Sequence, residues 1–413
     1  MSSTASFRND FQRRSLVRRS APVLAMTLVA ASLGCGNEDG LPTVPASEAA
    51  LATTATAPLE FVQLSAGTGN GQTCGVTVDN LLYCWGYNGT GSVGDGTTTR
   101  RLRPVPVGGS LHFRQVDAGY DFTCGVTTEY RAYCWGDNFA GQLGDGTITT
   151  RLKPVPVLGG VQFRQLSLGY RFTCGVSYPG NRAYCWGSNK TGQLGDGTTT
   201  QRMKPVAVAG TLRFVQVSVG WNHACGVTPE SLAYCWGFNA DGELGDSTTA
   251  PRWTPTRVAG GHHFRQVDGG GFHTCGVTTG DRGFCWGANG SGQVGDGKAS
   301  AIRLLPKAVA GGLSFRLVNA GAHFSCGLGT DDRLYCWGSN QSGTFGDGTT
   351  TSHRTPVPAA GSFRFRQVGA GLAHTCGRTA AAVAYCWGEN FNGSIGDGTT
   401  TNRLVPRAVS GPM

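Results

Sequence analysis

The chain contains seven copies of one segment, spaced 50 or 51 residues apart. Each copy carries the sequence Tyr-Cys-Trp-Gly, with phenylalanine in place of tyrosine in the fifth copy, and a second cysteine about ten residues earlier. A repeat of this length is typical of proteins in which one small structural unit packs against the next. The repeat therefore predicts a single array, although 413 residues would otherwise suggest two or three domains.

Within one copy, four short segments have the character of β-strands. In the second copy they are residues 113–116, 123–127, 132–135 and 154–157, and Gly, Asp and Asn turns separate them. No segment combines helical length with a 3.6-residue period, and 66 glycines favour tight turns over helices. Seven units of four antiparallel strands predict an all-β fold, a seven-bladed β-propeller of four-stranded blades.

The two ends of the chain suggest how the ring closes. Phe-x-Gln-Val-type segments begin every copy, the first at Phe61 and the last at Phe365, whereas Pro-Val-type segments follow the copies, the first at Pro104 and the last at Pro406. We expect each blade to pair a Pro-Val strand with the three strands that follow it. Residues 406–409 would then complete blade one beside residues 61–64, and a closed ring leaves only short, protected sheet edges.

Three consensus sequences carry a family resemblance. They are Gly-x-x-[His/Phe]-[Thr/Ser/Ala]-Cys, Tyr-Cys-Trp-Gly-x-Asn-x-x-Gly-x-[Leu/Val/Ile/Phe]-Gly-Asp-Gly and Arg-x-x-Pro-Val-x-Val. They resemble the repeats of the regulator of chromosome condensation family over residues 61–409, which implies a seven-bladed propeller. The family's founding member is a guanine-nucleotide exchange factor that binds chromatin, and a secreted bacterial member of the fold inhibits β-lactamases. The cysteine pairs are a departure, since relatives usually have small or hydroxyl residues there.

Fourteen of the 15 cysteines fall within the copies, two in each. The two cysteines of a copy lie on adjacent strands of one hairpin at facing positions, close enough for a disulfide. Zinc spacing such as Cys-x2-Cys is missing from the sequence, and we expect neither a metal site nor a cofactor. The predicted disulfides are Cys74–Cys84, Cys124–Cys134, Cys174–Cys185, Cys225–Cys235, Cys275–Cys285, Cys326–Cys336 and Cys376–Cys386.

The first 60 residues differ from the repeats. Residues 1–34 combine five arginines with an apolar run of 13 residues, which is the pattern of a secretory signal peptide. Cys35 follows in the position of a lipid-modified cysteine, the alternative being ordinary cleavage near Gly34 without lipidation. Residues 35–60 then form a flexible linker to the propeller of residues 61–413. These features predict an exported bacterial protein, either a lipoprotein of the cell envelope, with membrane contact only through Cys35, or a secreted protein.

The net charge argues against nucleic acid as a partner. The leader carries +4 of the total of +9, so the rest of the chain carries only +5 over nearly 380 residues. We expect a monomer that binds a protein of unknown identity.

Repetition separates architecture from function, because a feature present in all copies serves every blade. By this criterion the Gly-Asp-Gly turns are structural, with calcium binding as an alternative, and so are the arginines before the Pro-Val segments: Arg101, Arg151, Arg202, Arg252, Arg303, Arg354 and Arg403. The loop before the first cysteine differs between copies. There we predict partner-binding residues: Tyr120, Asp121, Tyr170, Arg171, Trp221, Asn222 and Phe272.

Two expectations follow for this loop set. If its aromatic side chains are exposed, Trp221→Ala will weaken binding and leave stability unchanged; the alternative is that they are half-buried against the adjacent blade. His223, His273 and His374 precede cysteines in register, where packing explains them.

A non-enzymatic binding protein is the leading functional hypothesis. The alternatives are nucleotide exchange with chromatin binding, as in the founding family member, and a carbohydrate-active extracellular enzyme. The enzyme would need a pair of acids in the central channel, and we expect none on the strands that face it.

Overall fold

The computed structural model describes residues 59–412 and confirms a seven-bladed propeller. The chain forms seven four-stranded antiparallel sheets, and each sheet is one blade. Within residues 59–412 no helix is long and apolar enough to cross a membrane. The predicted signal peptide, Cys35 and the linker up to residue 58 lie outside the described residues.

Every blade consists of four consecutive strands, here called first, second, third and outer. Blade one contains β1 (Phe61–Ala66), β2 (Gln72–Thr77), β3 (Leu82–Gly86) and β4 (Arg101–Val107). Blade two contains β5 (Phe113–Ala118), β6 (Phe122–Thr127), β7 (Ala132–Gly136) and β8 (Arg151–Pro156). Blade three contains β9 (Phe163–Leu168), β10 (Phe172–Ser177), β11 (Ala183–Gly187) and β12 (Arg202–Ala207). Blade four contains β13 (Gln216–Val219), β14 (His223–Val227), β15 (Ala233–Gly237) and β16 (Arg252–Arg257). Blade five contains β17 (Phe264–Gly269), β18 (His273–Thr278), β19 (Gly283–Ala288) and β20 (Ile302–Ala308). Blade six contains β21 (Phe315–Ala320), β22 (Phe324–Gly329), β23 (Leu334–Gly338) and β24 (His353–Pro358). Blade seven contains β25 (Phe365–Ala370), β26 (His374–Thr379), β27 (Ala384–Gly388) and β28 (Arg403–Ala408).

The second and third strands of each blade form the hairpin that carries the cysteines. Cys74 lies directly opposite Cys84, and the other six pairs are opposed in the same way. All seven pairs are disulfide-bonded, with Cα–Cα separations of 4.0–4.1 Å. The predicted pairing within hairpins is confirmed.

The alternation of side chains along the third strand explains the order Tyr-Cys-Trp. Successive residues of a strand point to opposite faces of the sheet. Cys84 therefore packs toward blade two, in one apolar cluster with Phe113 and Trp135, whereas Trp85 packs toward blade seven with Cys386. Each blade thus presents a disulfide to the next blade and a tryptophan to the previous one.

The tryptophans also make a polar contact with the previous blade. All seven are fully buried, and Trp135 Nε1 donates a 3.0 Å hydrogen bond to the carbonyl oxygen of Ser92 in blade one. Gly94 follows closely, and a Cβ on it would lie 2.5 Å from Trp135 Nε1. The glycine of the Gly-Asp-Gly turn is therefore required because the indole of the next blade occupies that space.

The glycine of Tyr-Cys-Trp-Gly is required for a different reason. Gly86 has φ 96°, and a Cβ there would lie 2.1 Å from the carbonyl oxygen of Gly71. Its six equivalents have φ between 101° and 105°. Only glycine adopts this conformation without strain where backbone approaches so closely.

The Gly-Asp-Gly turn is held by a polar network. Asp95 Oδ1 accepts hydrogen bonds from the Thr97 backbone N–H at 3.0 Å and from Asn88 Nδ2 at 3.2 Å. Arg101 pairs with Asp95 Oδ2 at 2.6 Å. Burial raises the pKa of Asp95, but the bonds from Thr97 and Arg101 outweigh it and hold the pKa below its usual value. The aspartate therefore caps the turn, as predicted.

One arginine of the predicted set is displaced by a residue. In blade six the ion-pairing position is His353, whereas Arg354 takes the place of an apolar residue and packs on Gly292 of the previous blade. The other six arginines pair with the aspartates of their own turns.

The predicted closure by shared strands is wrong. β28 pairs with β27 of its own blade, and the sheet of blade one starts at β1. The Pro-Val strand follows the third strand through a long turn that returns the chain to the same sheet, so Gly86 pairs with Arg101 and no blade is divided between the chain ends. The ring closes instead by packing of blade seven on blade one, where Trp85 Nε1 donates to the Ser394 carbonyl oxygen at 2.9 Å.

The first strands line the centre and are joined by glutamines. Gln216 Nε2 donates to the Val267 carbonyl oxygen at 2.8 Å, and its Oε1 accepts from the Val267 N–H at 3.1 Å. Equivalent pairs of bonds involve Gln63, Gln115, Gln165, Gln266 and Gln367. Blade six has Leu317 at this position, so its contact with blade seven has no such amide.

This difference predicts opposite effects of two substitutions. Gln216→Leu leaves the N–H and C=O of Val267 without their partner and should lower the free energy of unfolding by about 2–3 kcal/mol. Leu317→Gln adds the missing amide and should raise it. Urea unfolding of the oxidised protein measures both, and unchanged midpoints in both variants would contradict a role for the glutamines.

Candidate functional site

The loops that connect first to second strands, and third to outer strands, meet at one face of the propeller, which we call the loop face. Antiparallel strand order places both loop types at the same sheet edge. Contacts between them confirm this: the Asp137 N–H donates to the Asp121 carbonyl oxygen at 2.9 Å, and Thr90 Oγ1 donates to the same oxygen at 2.8 Å. The seven predicted partner-binding residues all belong to loops of this face.

Tyr120, Tyr170 and Arg171 come together in blades two and three. The two tyrosine rings meet edge to face with centroids 4.6 Å apart. The Arg171 guanidinium lies 5.2 Å from the Tyr170 ring centroid, and its Nε lies 3.7 Å from Asp137 Oδ2. The Arg171 side chain remains 42% exposed. This part of the predicted set combines aromatic surface with an accessible charge.

Asp121 is largely buried and links blade two to blade one. Its Oδ2 accepts a 2.7 Å hydrogen bond from Asn70 Nδ2, and its Oδ1 accepts from the Asn70 N–H at 3.2 Å. Burial raises the pKa of Asp121 to about 6, although the bonds from Asn70 oppose the rise. Asn70 belongs to the longer first loop of blade one, so the extra residues of that loop hold the Asp121 carboxylate.

Trp221 differs from the expectation of an exposed aromatic. It is only 4% exposed, and its ring packs between Phe272 at 4.9 Å and His323 at 6.0 Å, in blades five and six. Phe272 is half-buried and so is Asn222, whose carbonyl oxygen accepts from the Phe238 N–H at 2.9 Å. The alternative of burial against a neighbouring blade therefore holds for Trp221, and Trp221→Ala is no longer expected to leave stability unchanged.

Two exposed aromatic residues of the loop face do not belong to the set predicted from the sequence. Phe139 is 68% exposed and Phe391 is 58% exposed. Both follow the asparagine that recurs in every copy, in the loop between the third and outer strands. That position reads Gly, Phe, Lys, Ala, Gly, Gln and Phe through blades one to seven. This variation between copies is visible in the sequence and is the signal that identifies the position. The Phe139 N–H donates to Asp137 Oδ1 at 3.4 Å, and Arg171 faces Oδ2 of the same carboxylate.

The central channel contains acids, contrary to expectation. The first strands enclose a polar cavity of about 190 Å³ lined by Ser65, Asp117, Ser167, Ser218, Asp268 and Asn319, among others. The sequence does not reveal which of the four strands is innermost, so it does not predict that the fifth residue of a first strand faces the channel.

The two channel aspartates bind the wall of the channel. Asp117 accepts hydrogen bonds from Ser65 Oγ and from the Leu168 N–H, both at 2.8 Å. Asp268 accepts in the same way from Ser218 Oγ at 2.8 Å and from the Ala320 N–H at 2.9 Å. Burial raises the pKa of Asp117 to about 7. Each carboxylate thus joins its own blade to both the previous and the next blade, which is a structural use of the pair.

The three histidines also connect blades. Nε2 of His223, His273 and His374 lies 2.8–2.9 Å from a hydroxyl of the following blade: Thr274, Ser325 and Thr73. Burial lowers the pKa to about 3 for His223 and His273 and to about 4 for His374. Among residues 59–412, no three His, Cys, Asp or Glu side chains are grouped to hold a metal ion.

The repeats match a known family. The model described as "Regulator of chromosome condensation (RCC1) repeat" matches residues 79–126, 131–176, 181–227, 231–277 and 331–377, which is more than half of the chain. The chain belongs to the RCC1 repeat family. A second RCC1 repeat model matches residues 113–142, 163–193, 214–243 and 315–344. No curated protein matches the RCC1 repeats of this chain in sequence.

Solved structures share the RCC1 fold at low sequence identity. Human WBSCR16 superposes with a TM-score of 0.73 at 20% identity, covering 80% of this chain and 94% of that one. Prp20, the yeast RCC1, in complex with Kap60, gives 0.73 at 20% identity, covering 81% and 85%. A second structure, of Prp20p from Saccharomyces cerevisiae, gives 0.72 at 21% identity, covering 81% and 87%.

The burial of Trp221 leads to a revised prediction. Trp221→Ala should lower the free energy of unfolding by about 3–5 kcal/mol, because it opens a cavity between blades four, five and six. Phe139→Ala on the same face should change it by less than about 0.5 kcal/mol, because Phe139 is mostly exposed. Chemical denaturation of both variants tests the difference, and equal stabilities would contradict this packing.

The histidines predict how stability depends on pH. Their native pKa values lie below the unfolded value of about 6.5, so the unfolded chain binds more protons between these values and stability falls as the pH falls below about 6.5. At pH 5 the loss is on the order of 2 kcal/mol per histidine.

Blade one shows which residue can replace these histidines. Gln72 occupies the equivalent position there and donates to the Gly119 carbonyl oxygen at 2.8 Å. A variant with His223→Gln, His273→Gln and His374→Gln should lose less stability than the parent between pH 7 and pH 5. Parallel stability curves for the two proteins would show that the histidines are not responsible.

Proposed function

We propose that this RCC1-repeat propeller is a non-enzymatic binding protein that acts outside the cytoplasm and recognises a protein partner through its loop face. The observation that carries the proposal is the loss of seven-fold symmetry there. The blade contacts repeat with little change, whereas the side chains of the loop face differ from blade to blade.

Blades two and three provide the surface with the strongest support. Tyr120, Phe139, Tyr170 and Arg171 form what we call the blade two–three patch. Tyrosine and arginine with adjacent exposed apolar surface are the residues that dominate the binding energy of protein interfaces. Asp121 and Arg171 both have φ 62°, a left-handed conformation that is uncommon outside glycine. A backbone held in this way orients both side chains before a partner arrives.

Trp221, Asn222 and Phe272 have a supporting place in this proposal. Their burial between blades four to six fixes the first loops of that side, and the Tyr170 N–H donates to the Trp221 carbonyl oxygen at 3.1 Å. Through this bond the Trp221 loop adjoins the blade two–three patch. We therefore assign direct partner contact to the patch and positioning to Trp221.

Protein binding agrees with what is known of structural relatives. The yeast RCC1 was solved in complex with Kap60, and the structure of Prp20p was described together with its binding to Gsp1p and histones. The shared fold thus presents surfaces on which proteins bind in those cases. The identity of the partner here does not follow from them.

The proposed location rests on the disulfides. Seven disulfides indicate an oxidising compartment, because cytosolic and nuclear thiols are kept reduced. This argues against a nuclear exchange factor. We propose export with the predicted signal peptide and either lipid attachment at Cys35 or release, and a monomer whose partner is a protein and not nucleic acid.

The test is affinity capture with matched variants. The full-length oxidised protein is immobilised, and proteins captured from an envelope extract of the source organism are quantified. A true partner should be captured at least tenfold less by a variant with Tyr170→Ala and Arg171→Ala, while Val78→Ala, an exposed residue of the opposite face, should capture it normally. If both variants retain every captured protein, the blade two–three patch is not the binding site.

A further inference from the structure

The face opposite the loop face breaks the symmetry of the repeat at one place. It carries the turns between second and third strands. In each of these turns one residue has a left-handed backbone conformation: Asn80, Tyr130, Asn181, Ser231, Asp281, Asp332 and Ala382, with φ between 53° and 66°. Asparagine and aspartate are the residues other than glycine that adopt this conformation most readily, and a bulky residue there is an outlier. Blade two alone among the seven places an aromatic residue, Tyr130, in this strained position.

The same position also decides how an arginine is neutralised. In blades five and six the left-handed residue is an aspartate that pairs with the second residue of the first strand: Asp281 contacts Arg265, and Asp332 lies 2.6 Å from Arg316. In blade two the corresponding arginine, Arg114, lies over the Tyr130 ring, 4.4 Å from its centroid. The strained tyrosine therefore stands where other blades have the carboxylate.

A second departure from the repeat completes this arrangement. The turn of blade three has one extra residue, since its disulfide spans 11 positions and not 10. Tyr178 in that turn stacks face to face on Tyr130, with centroids 3.9 Å apart and an interplanar angle of 2°. Tyr178 remains 44% exposed. Arg114, Tyr130 and Tyr178 form a three-layer stack that exists only because two neighbouring blades both deviate.

Positive charge in this region lacks acidic partners. Arg164, the neighbour of Arg114 in blade three, donates to the carbonyl oxygens of Phe214 and Val215. Burial and the charge of Arg114 both lower the pKa of Arg164. Glu129, beside Tyr130, is hydrogen-bonded to Thr128 Oγ1 at 2.6 Å, and the structure shows ion pairs for neither Arg114 nor Arg164 within residues 59–412.

We propose that Arg114, Arg164, Tyr130 and Tyr178, the stack patch, bind a short acidic segment of a polypeptide. Arg114 and Arg164 lie on neighbouring blades and have no carboxylate partner in the part of the chain that the structure describes, so they can pair with two carboxylates of a peptide. The exposed face of Tyr178 offers apolar contact to the peptide segment between those carboxylates. The site is short because Asp281 and Asp332 neutralise the arginines further around the ring. A nucleic acid, with its continuous charge, needs a longer basic track. This inference concerns the face opposite the one in the proposed function and does not rest on it.

The direct test uses a fluorescein-labelled hexaglutamate peptide and the full-length oxidised protein at low salt, with binding followed by fluorescence anisotropy. Arg114→Gln with Arg164→Gln should weaken binding at least tenfold. Arg316→Gln with Arg366→Gln is the matched control, because it removes the same charge from arginines that share Asp332, and it should change the affinity less than threefold. Absence of binding, or equal losses in both double variants, overturns the proposal.

A second variant separates binding from structure. Tyr130→Asn installs the residue that blade one uses at Asn80, so it should relieve backbone strain and leave the unfolding midpoint unchanged or higher, while weakening hexaglutamate binding at least threefold. A lower midpoint with unaltered binding would make the stack a structural feature only and overturn the proposal. Equally tight binding of hexathymidylate or oligogalacturonate, with the same loss in the Arg114/Arg164 variant, would also overturn it, because the patch would then recognise polyanions of any chemistry.

Discussion

The contact between one blade's disulfide and the next blade's tryptophan is the interaction on which the rest of the structure depends. A four-stranded sheet with two apolar faces is not stable alone, and here each face is covered by a neighbour that is its near copy. The third strand serves both contacts at once, since its cysteine and its tryptophan point in opposite directions. Because every contact has the same geometry, seven of them return the chain to its starting point. The positions of the loops and of the central channel follow from this closed ring of seven blade contacts.

Because the packing between blades repeats around the ring, the side chains at the loop face and at the opposite face are free to vary. On the loop face, Tyr120, Tyr170 and Trp221 occupy equivalent positions. We assign the two tyrosines to partner contact, whereas Trp221 packs between blades. On the opposite face, an aspartate that neutralises an arginine in blades five and six is replaced by a tyrosine in blade two. In both places the scaffold tolerates left-handed or crowded residues because the glutamines, tryptophans and turn aspartates around them hold the backbone.

Much of this architecture could be predicted from the sequence, because the sequence contains the same blade unit in seven copies. The hairpins, the disulfide pairing and the capping role of Asp95 follow from local spacing and turn chemistry. The closure did not follow, since a periodic sequence defines its unit only up to a cyclic shift, and pairing of Gly86 with Arg101 assigns the Pro-Val strand to the preceding hairpin.

The features of single blades were harder to predict. Trp221 was expected to be exposed because it belongs to a surface loop, but Phe272 and His323 in the next two blades pack on its ring and bury it. The channel positions of Asp117 and Asp268 could not be predicted, because only the assembled ring shows which strand faces the channel. The stack of Tyr130 on Tyr178 depends on a backbone conformation in one blade and an inserted residue in another, and no local pattern connects the two.

That no strand is shared between the chain ends has a consequence for how such rings arise. Each blade is encoded by one uninterrupted stretch of about fifty codons, with its own disulfide and its own outer strand. Duplication or deletion of such a stretch adds or removes a complete sheet and leaves no strand unpaired. The number of blades is then limited only by the angle at which neighbouring sheets pack. A gene for a chain of this kind can therefore gain or lose complete, disulfide-bonded blades in single steps, although a ring closes only where the packing angle fits the new number.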